Sequence, residues 1–134
     1  MVARWMDLDL TQYANVELPF VDAASIPDWA LNEVKAMYSL GILKGGANES
    51  GLTVNALATI SRAEAMTILG RIQGKGYVSQ PLTDFTDASS VPAWSLSYVE
   101  SLVGQGIISG YNGLLRPNDS VTRAEVCKML FYLL

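Results

Sequence analysis

The chain has 134 residues, half of them apolar and 16% charged, with a net charge of −4. That size and composition suit a packed module and argue against a disordered tail. The acidic balance, with no Lys/Arg run, argues against a nucleic-acid partner, and no apolar stretch is long enough for membrane insertion.

The opening segment, Met1 to Trp5, lacks the charged and then apolar pattern of a secretory leader. Both ends stop within apolar patterns, so the sequence is read as a piece of a longer protein. Residues 1–19 are expected to be the end of a preceding, truncated repeat plus a linker, with residues 2–8 as the tail of a helix.

From Phe20 onward the chain repeats itself. Phe20, Asp22, Pro27, Trp29, Val34, Gly41, Ile42 and Gly45 recur sixty-five positions later as Phe85, Asp87, Pro92, Trp94, Val99, Gly106, Ile107 and Gly110. The offset then shortens by four, and Ile60 to Glu64 recurs as Val121 to Glu125. We place the repeats at 20–72 and 85–134, joined by a linker at 73–84 that is rich in turn formers.

Each repeat predicts two helices. Ser25 or Ser90 can cap the first, with Pro27 or Pro92 in its first turn. Trp29, Val34, Met37 and Tyr38 then share one face, as do Trp94, Val99, Leu102 and Val103. Gly41 and Gly106 are expected to end these helices, with Ile42 and Ile107 closing the hydrophobic contact of a Schellman motif. A glycine-rich loop follows. Gly45 and Gly110 within it are expected to allow positive φ or a close backbone approach.

The second helix opens on Ser61-x-x-Glu64 or Thr122-x-x-Glu125, each a capping box. Behind these lie the apolar stripes of Ala65, Met66, Ile68, Leu69 and Ile72, and of Val126, Cys127, Met129, Leu130, Leu133 and Leu134. Cys127, the lone cysteine, aligns with Met66 and is expected to be a small core residue. The expected fold is all-α: tandem helix–loop–helix repeats packed as a small helical bundle.

These motifs resemble the S-layer homology repeat. The resemblance rests on Phe85 to Asp87, Trp94, Gly106 and Ile107, the run from Gly110 to Asn118, and Val121 to Glu125. The first repeat matches at both ends but carries Gly51 to Asn55 where the family prefers an aromatic residue followed by proline. The resemblance implies an extracellular module on a bacterial cell surface that anchors a larger protein non-covalently to the cell wall. It implies a partial pseudo-threefold arrangement, with an acidic, pyruvylated secondary cell-wall polysaccharide bound in grooves between repeats. The alternative is a protein–protein assembly module, a homo-oligomer that completes a three-repeat set.

Candidate ligand-binding residues follow, each with a second reading that stays open. Arg62 and Arg123 sit in a first helical turn, where the dipole disfavours a cation. Each could hold a carboxylate together with free backbone N–H groups, or pair with Asp22 or Asp87. Trp29 and Trp94 could stack on sugar rings or belong to the core. Asp22 and Asp87 could bind sugar hydroxyls or make turns. Tyr111 could wall a groove, and Gly45 and Gly110 could let a ligand approach.

No catalysis is expected. Histidine is absent, which removes the commonest general base and the commonest metal ligand. Asp28 and Glu33, carboxylates that could serve glycoside hydrolysis, become Ala93 and Tyr98 in the second copy. No cofactor and no metal is expected. The Asp84–Asp87 segment lacks the ligand count of a calcium loop.

Overall fold

Helix ends fix the layout of both repeats. A computed structural model describes residues 1–74 and 79–133. Residues 75–78, within the expected linker, and Leu134, at the end of the second apolar stripe, lie outside the described residues.

Helix α1 spans Val2–Trp5, α2 Asp28–Ser39, α3 Arg62–Gln73, α4 Leu96–Gly104 and α5 Arg123–Tyr132. Short 3-10 turns cover Leu10–Tyr13, Ala23–Ser25 and Ala88–Ser90. The chain divides into two compact units, Met1–Ala58 and Thr59–Leu134. Helix α3, the second helix of the first repeat, therefore lies in the second unit.

Both Schellman motifs form. Gly41 (φ +72°) donates its N–H to Tyr38, and Ile42 donates to Met37. Gly106 (φ +73°) donates to Val103, and Ile107 to Leu102. Ile42 and Ile107 are both buried, so each helix stop also anchors a core residue.

The starts of the first helices differ from expectation. Ser25 and Ser90 close 3-10 turns and cap neither helix. Pro27 occupies the N-cap of α2, and Ser95, without a side-chain capping bond, that of α4. The fixed φ of proline suits a helix entry, but the extended residue before it excludes a helix begun at serine.

The all-α expectation is overturned. Strands β1 (Gly46–Asn48) and β2 (Gly51–Thr53) pair antiparallel, Gly46 against Thr53 and Asn48 against Gly51. The fold is mixed α and β. The first repeat's loop is long enough for a hairpin, with a tight turn in which Asn48 Oδ1 accepts from Ser50 N–H at 2.8 Å. The shorter second loop keeps one bridge, Tyr111 to Leu114, around Asn112 (φ +52°) and Gly113 (φ +70°). Two successive positive φ values mark the Asn-Gly turn of a tight hairpin.

In the first unit, Phe20, Ile26, Ala36 and Ile42 are buried, and the Phe20 ring meets Tyr38 edge-on at 5.5 Å. In the second, Met66, Leu69, Val99, Leu102 and Leu115 form the centre of the core. There α3 packs closely on α4: a Cβ at Gly70 would lie 2.7 Å from the Tyr98 side chain. Glycine at that point lets the two helices approach.

Candidate functional site

The glycine-rich loops are clipped by the aspartates. In the first unit, Val54 N–H and Asn55 N–H donate to the two Asp22 carboxylate oxygens, both at 2.9 Å. In the second, Leu115 N–H (2.9 Å) and Arg116 N–H (2.8 Å) donate to Asp87 in the same way. The Val54 bond is the main reason the Asp22 carboxyl sits below its usual range. Partial desolvation opposes it, and the Asn55 bond adds to it.

Gly45 and Gly110 complete this clip. Both have positive φ. A Cβ at Gly45 would meet Phe20 and the Thr53 carbonyl at 2.5 Å; one at Gly110 would meet Phe85 and the Leu114 carbonyl at 2.7 Å. The close approach expected at these glycines is to the protein's own phenylalanine and backbone.

Arg62 is 7% exposed. Its Nη1 donates to Glu125 at 2.8 Å, and its Nε donates to the Leu115 carbonyl at 2.8 Å. The first N–H groups of α3 are taken as well: Arg62 N–H donates to Asp119 and Ala63 N–H to Pro117, each at 2.8 Å. Neither Asp22 nor Asp87 pairs with Arg62. The capping hydroxyls act as expected, Ser61 accepting from Glu64 N–H and Thr122 from Glu125 N–H. The glutamate half of the second box is diverted, because the Glu125 carboxylate goes to Arg62.

A cleft of about 240 Å³ opens beside this pair in the second unit. Arg62, Gly110, Tyr111, Arg116, Glu125 and Lys128 line it, over an apolar floor of Ile107, Ile108 and Met129. Three cations and one carboxylate thus face it. Because Arg62 and Glu125 neutralise each other, Arg116 and Lys128 leave two uncompensated positive charges. Tyr111, at the edge of the cleft, is 69% exposed.

The cleft gathers Arg62, Gly110 and Tyr111 of the sequence candidates. Asp87 does not line it, but accepts from the backbone N–H of Arg116, which does. Arg123 is exposed and does not line the cleft. Neither tryptophan lines it: Trp94 is 55% exposed, and Trp29, in the other unit, is 81% exposed. Both tryptophans lie outside the core face that helical spacing assigns them. Cys127 is exposed, against the expectation of a core residue.

Arg116, Glu125 and Lys128 were missed. The signal that finds the two cations is what the second repeat has and the first lacks: Asn55 stands in place of Arg116 and Thr67 in place of Lys128. Among the described residues no cluster of His, Cys, Asp or Glu is placed to hold a metal, and no helix is long and apolar enough to cross a membrane.

Residues 19–66 and 84–127 both match the S-layer homology domain. The chain belongs to the S-layer homology domain family. Over 127 residues it is 31% identical to a surface-layer 125 kDa protein of Lysinibacillus sphaericus, covering 87% of this chain and 10% of that protein. Over 140 residues it is 28% identical to an amylopullulanase of Thermoanaerobacterium thermosulfurigenes, covering 100% of this chain and 7% of that enzyme. The chain therefore spans a tenth or less of these relatives. S-layer homology domains are non-catalytic modules that anchor proteins to the cell wall, which points to the bacterial cell surface as this chain's location.

Proposed function

We propose that this S-layer homology chain anchors its protein by binding an acidic, pyruvylated secondary cell-wall polysaccharide in the cleft of the second unit. One observation carries the reading: a chain of net charge −4 lines its cleft with three cations and a single, paired carboxylate. Long-range charge opposes an acidic polymer, so attraction must come from cations that act within a Debye length of about 8–10 Å. Tyr111 adds a ring on which a sugar can stack beside those charges. Co-sedimentation with purified cell walls is the test. Saturable binding that salt weakens supports the reading, and a protein that stays in the supernatant with walls and buffer alike refutes it.

A second reading, assembly with another copy, is favoured by α5. Ala124, Cys127 and Phe131 are exposed on it, whereas their repeat equivalents Ala63, Met66 and Gly70 on α3 are buried. A large exposed apolar surface is a common mark of a protein interface. Light scattering over a range of concentrations distinguishes the two: a mass that rises with concentration supports assembly, and a constant monomer mass refutes it.

A further inference from the structure

Arg116 occupies a backbone position that arginine disfavours. Its φ is +51°, in the left-handed region. The first repeat places Asn55 at the equivalent position with φ +49°, and asparagine is among the few residues that tolerate that region well. The backbone N–H of each donates to the equivalent aspartate, Asp22 or Asp87. Folding alone therefore gives no reason for arginine in the second repeat.

Lys128 departs from its counterpart in the same direction. Thr67 is buried and returns its hydroxyl to the Ala63 carbonyl at 2.8 Å. Lys128 instead lies exposed on α5 and faces the cleft. Neither Arg116 nor Lys128 has a side-chain hydrogen bond or ion pair among the described residues. The only carboxylate in the cleft, that of Glu125, is engaged by Arg62 at 2.8 Å.

Two replacements in one repeat thus add two unpaired cations to one cleft, one of them at a strained backbone position. We infer that Arg116 and Lys128 form a dianion subsite, specific to the second repeat, that takes a stretch of glycan carrying two negative charges. This rests on the anchoring function proposed above and gives it a charge requirement. Arg116 offers a planar fork to one anionic group, and Lys128 a point charge to the other. The residues Asn55 and Thr67 supply no charge, so the first repeat lacks this subsite.

The test uses the full chain and two variants that install the first repeat's residues, Arg116→Asn and Lys128→Thr, singly and together. The probe is purified secondary cell-wall polysaccharide in three forms: native, with its carboxylates reduced, and with its phosphate removed by hydrofluoric acid. Each single variant should bind the native polymer about tenfold more weakly and the double variant about a hundredfold, with a shallower salt dependence. Arg116→Asn should melt no lower than wild type, since asparagine relieves the backbone. Whichever treatment weakens wild-type binding, carboxylate reduction or phosphate removal, names the anionic group. Native-like binding by the double variant overturns the subsite and leaves the anchoring function standing. Failure of the wild type to bind the native polymer overturns both.

Discussion

The Arg62 guanidinium meets the Glu125 carboxylate at 2.8 Å, tying the first residue of α3 to the first turn of α5. A motif that occurs twice thereby uses its two halves differently. The arginine of the first copy and the glutamate of the second are joined, while Arg123 stays exposed. Identical local sequence has one buried, structural instance and one open one.

This asymmetry predicts unequal mutant stabilities. Arg62→Ala removes a charge-assisted bond to Glu125 and a bond to the Leu115 carbonyl, and leaves both acceptors in a partly buried setting. The loss should be about 2–3 kcal/mol. Arg123→Ala, at an exposed site, should change stability by about 0.5 kcal/mol or less. Urea unfolding midpoints compare them, and equal losses would refute the assignment. Arg62 is accordingly a poor residue for testing ligand contact alone.

The glycines separate in the same manner. Gly110→Ala adds a Cβ 2.7 Å from Phe85 and from the Leu114 carbonyl at a positive φ, and should cost at least about 2 kcal/mol. Gly41→Ala meets open space and bears only the backbone strain, about 1–2 kcal/mol. Gly46→Ala meets nothing within 4 Å and should be nearly neutral. Thermal melts of the three should fall in that order. A Gly110→Ala protein as stable as Gly46→Ala would contradict the loop geometry.

Asp22 sets a pH dependence. Its folded carboxyl lies below the usual range because Val54 N–H, and then Asn55 N–H, donate to the ionised form. A depressed folded value means that the stability contribution is complete above the unfolded value, about pH 4, and is lost as pH falls through the folded one. Unfolding measured from pH 6 downward should show this loss in wild type and less of it in Asp22→Asn. Identical acid profiles would remove the aspartate clip from the account.

Cys127 gives a rapid check of α5. Its thiol is exposed, so it should react with a disulfide reagent in the native protein as fast as in urea. Protection of a hundredfold or more in the native protein would mean that the helix turns the other way.

How much of this could be read beforehand follows the range of each interaction. Schellman stops and capping hydroxyls bridge five residues or fewer, so Gly41, Gly106, Ser61 and Thr122 announce their roles in the sequence. The Asp22 and Asp87 clips cross about thirty residues to bond with main chain, which carries no sequence signature. The partner of Arg62 lies farther still, at Glu125. The β1–β2 hairpin has strands of only three residues each, too short to show the alternation that reveals strands. Helical spacing put Trp29 and Cys127 on apolar faces but could not say which faces meet a neighbour, and Trp94 falls in the turn before α4, which begins only at Leu96. Arg116 and Lys128 escaped because residues shared by both copies drew the reading, and these two are not shared.

The central claim, that the Tyr111 cleft holds acidic cell-wall polysaccharide, is tested most directly by calorimetric titration of the purified polymer into wild-type and Tyr111→Ala protein. Saturable binding by the wild type is expected, weakened about tenfold by Tyr111→Ala at an unchanged melting temperature. No saturable binding by the wild type, or undiminished binding by Tyr111→Ala, would contradict the claim.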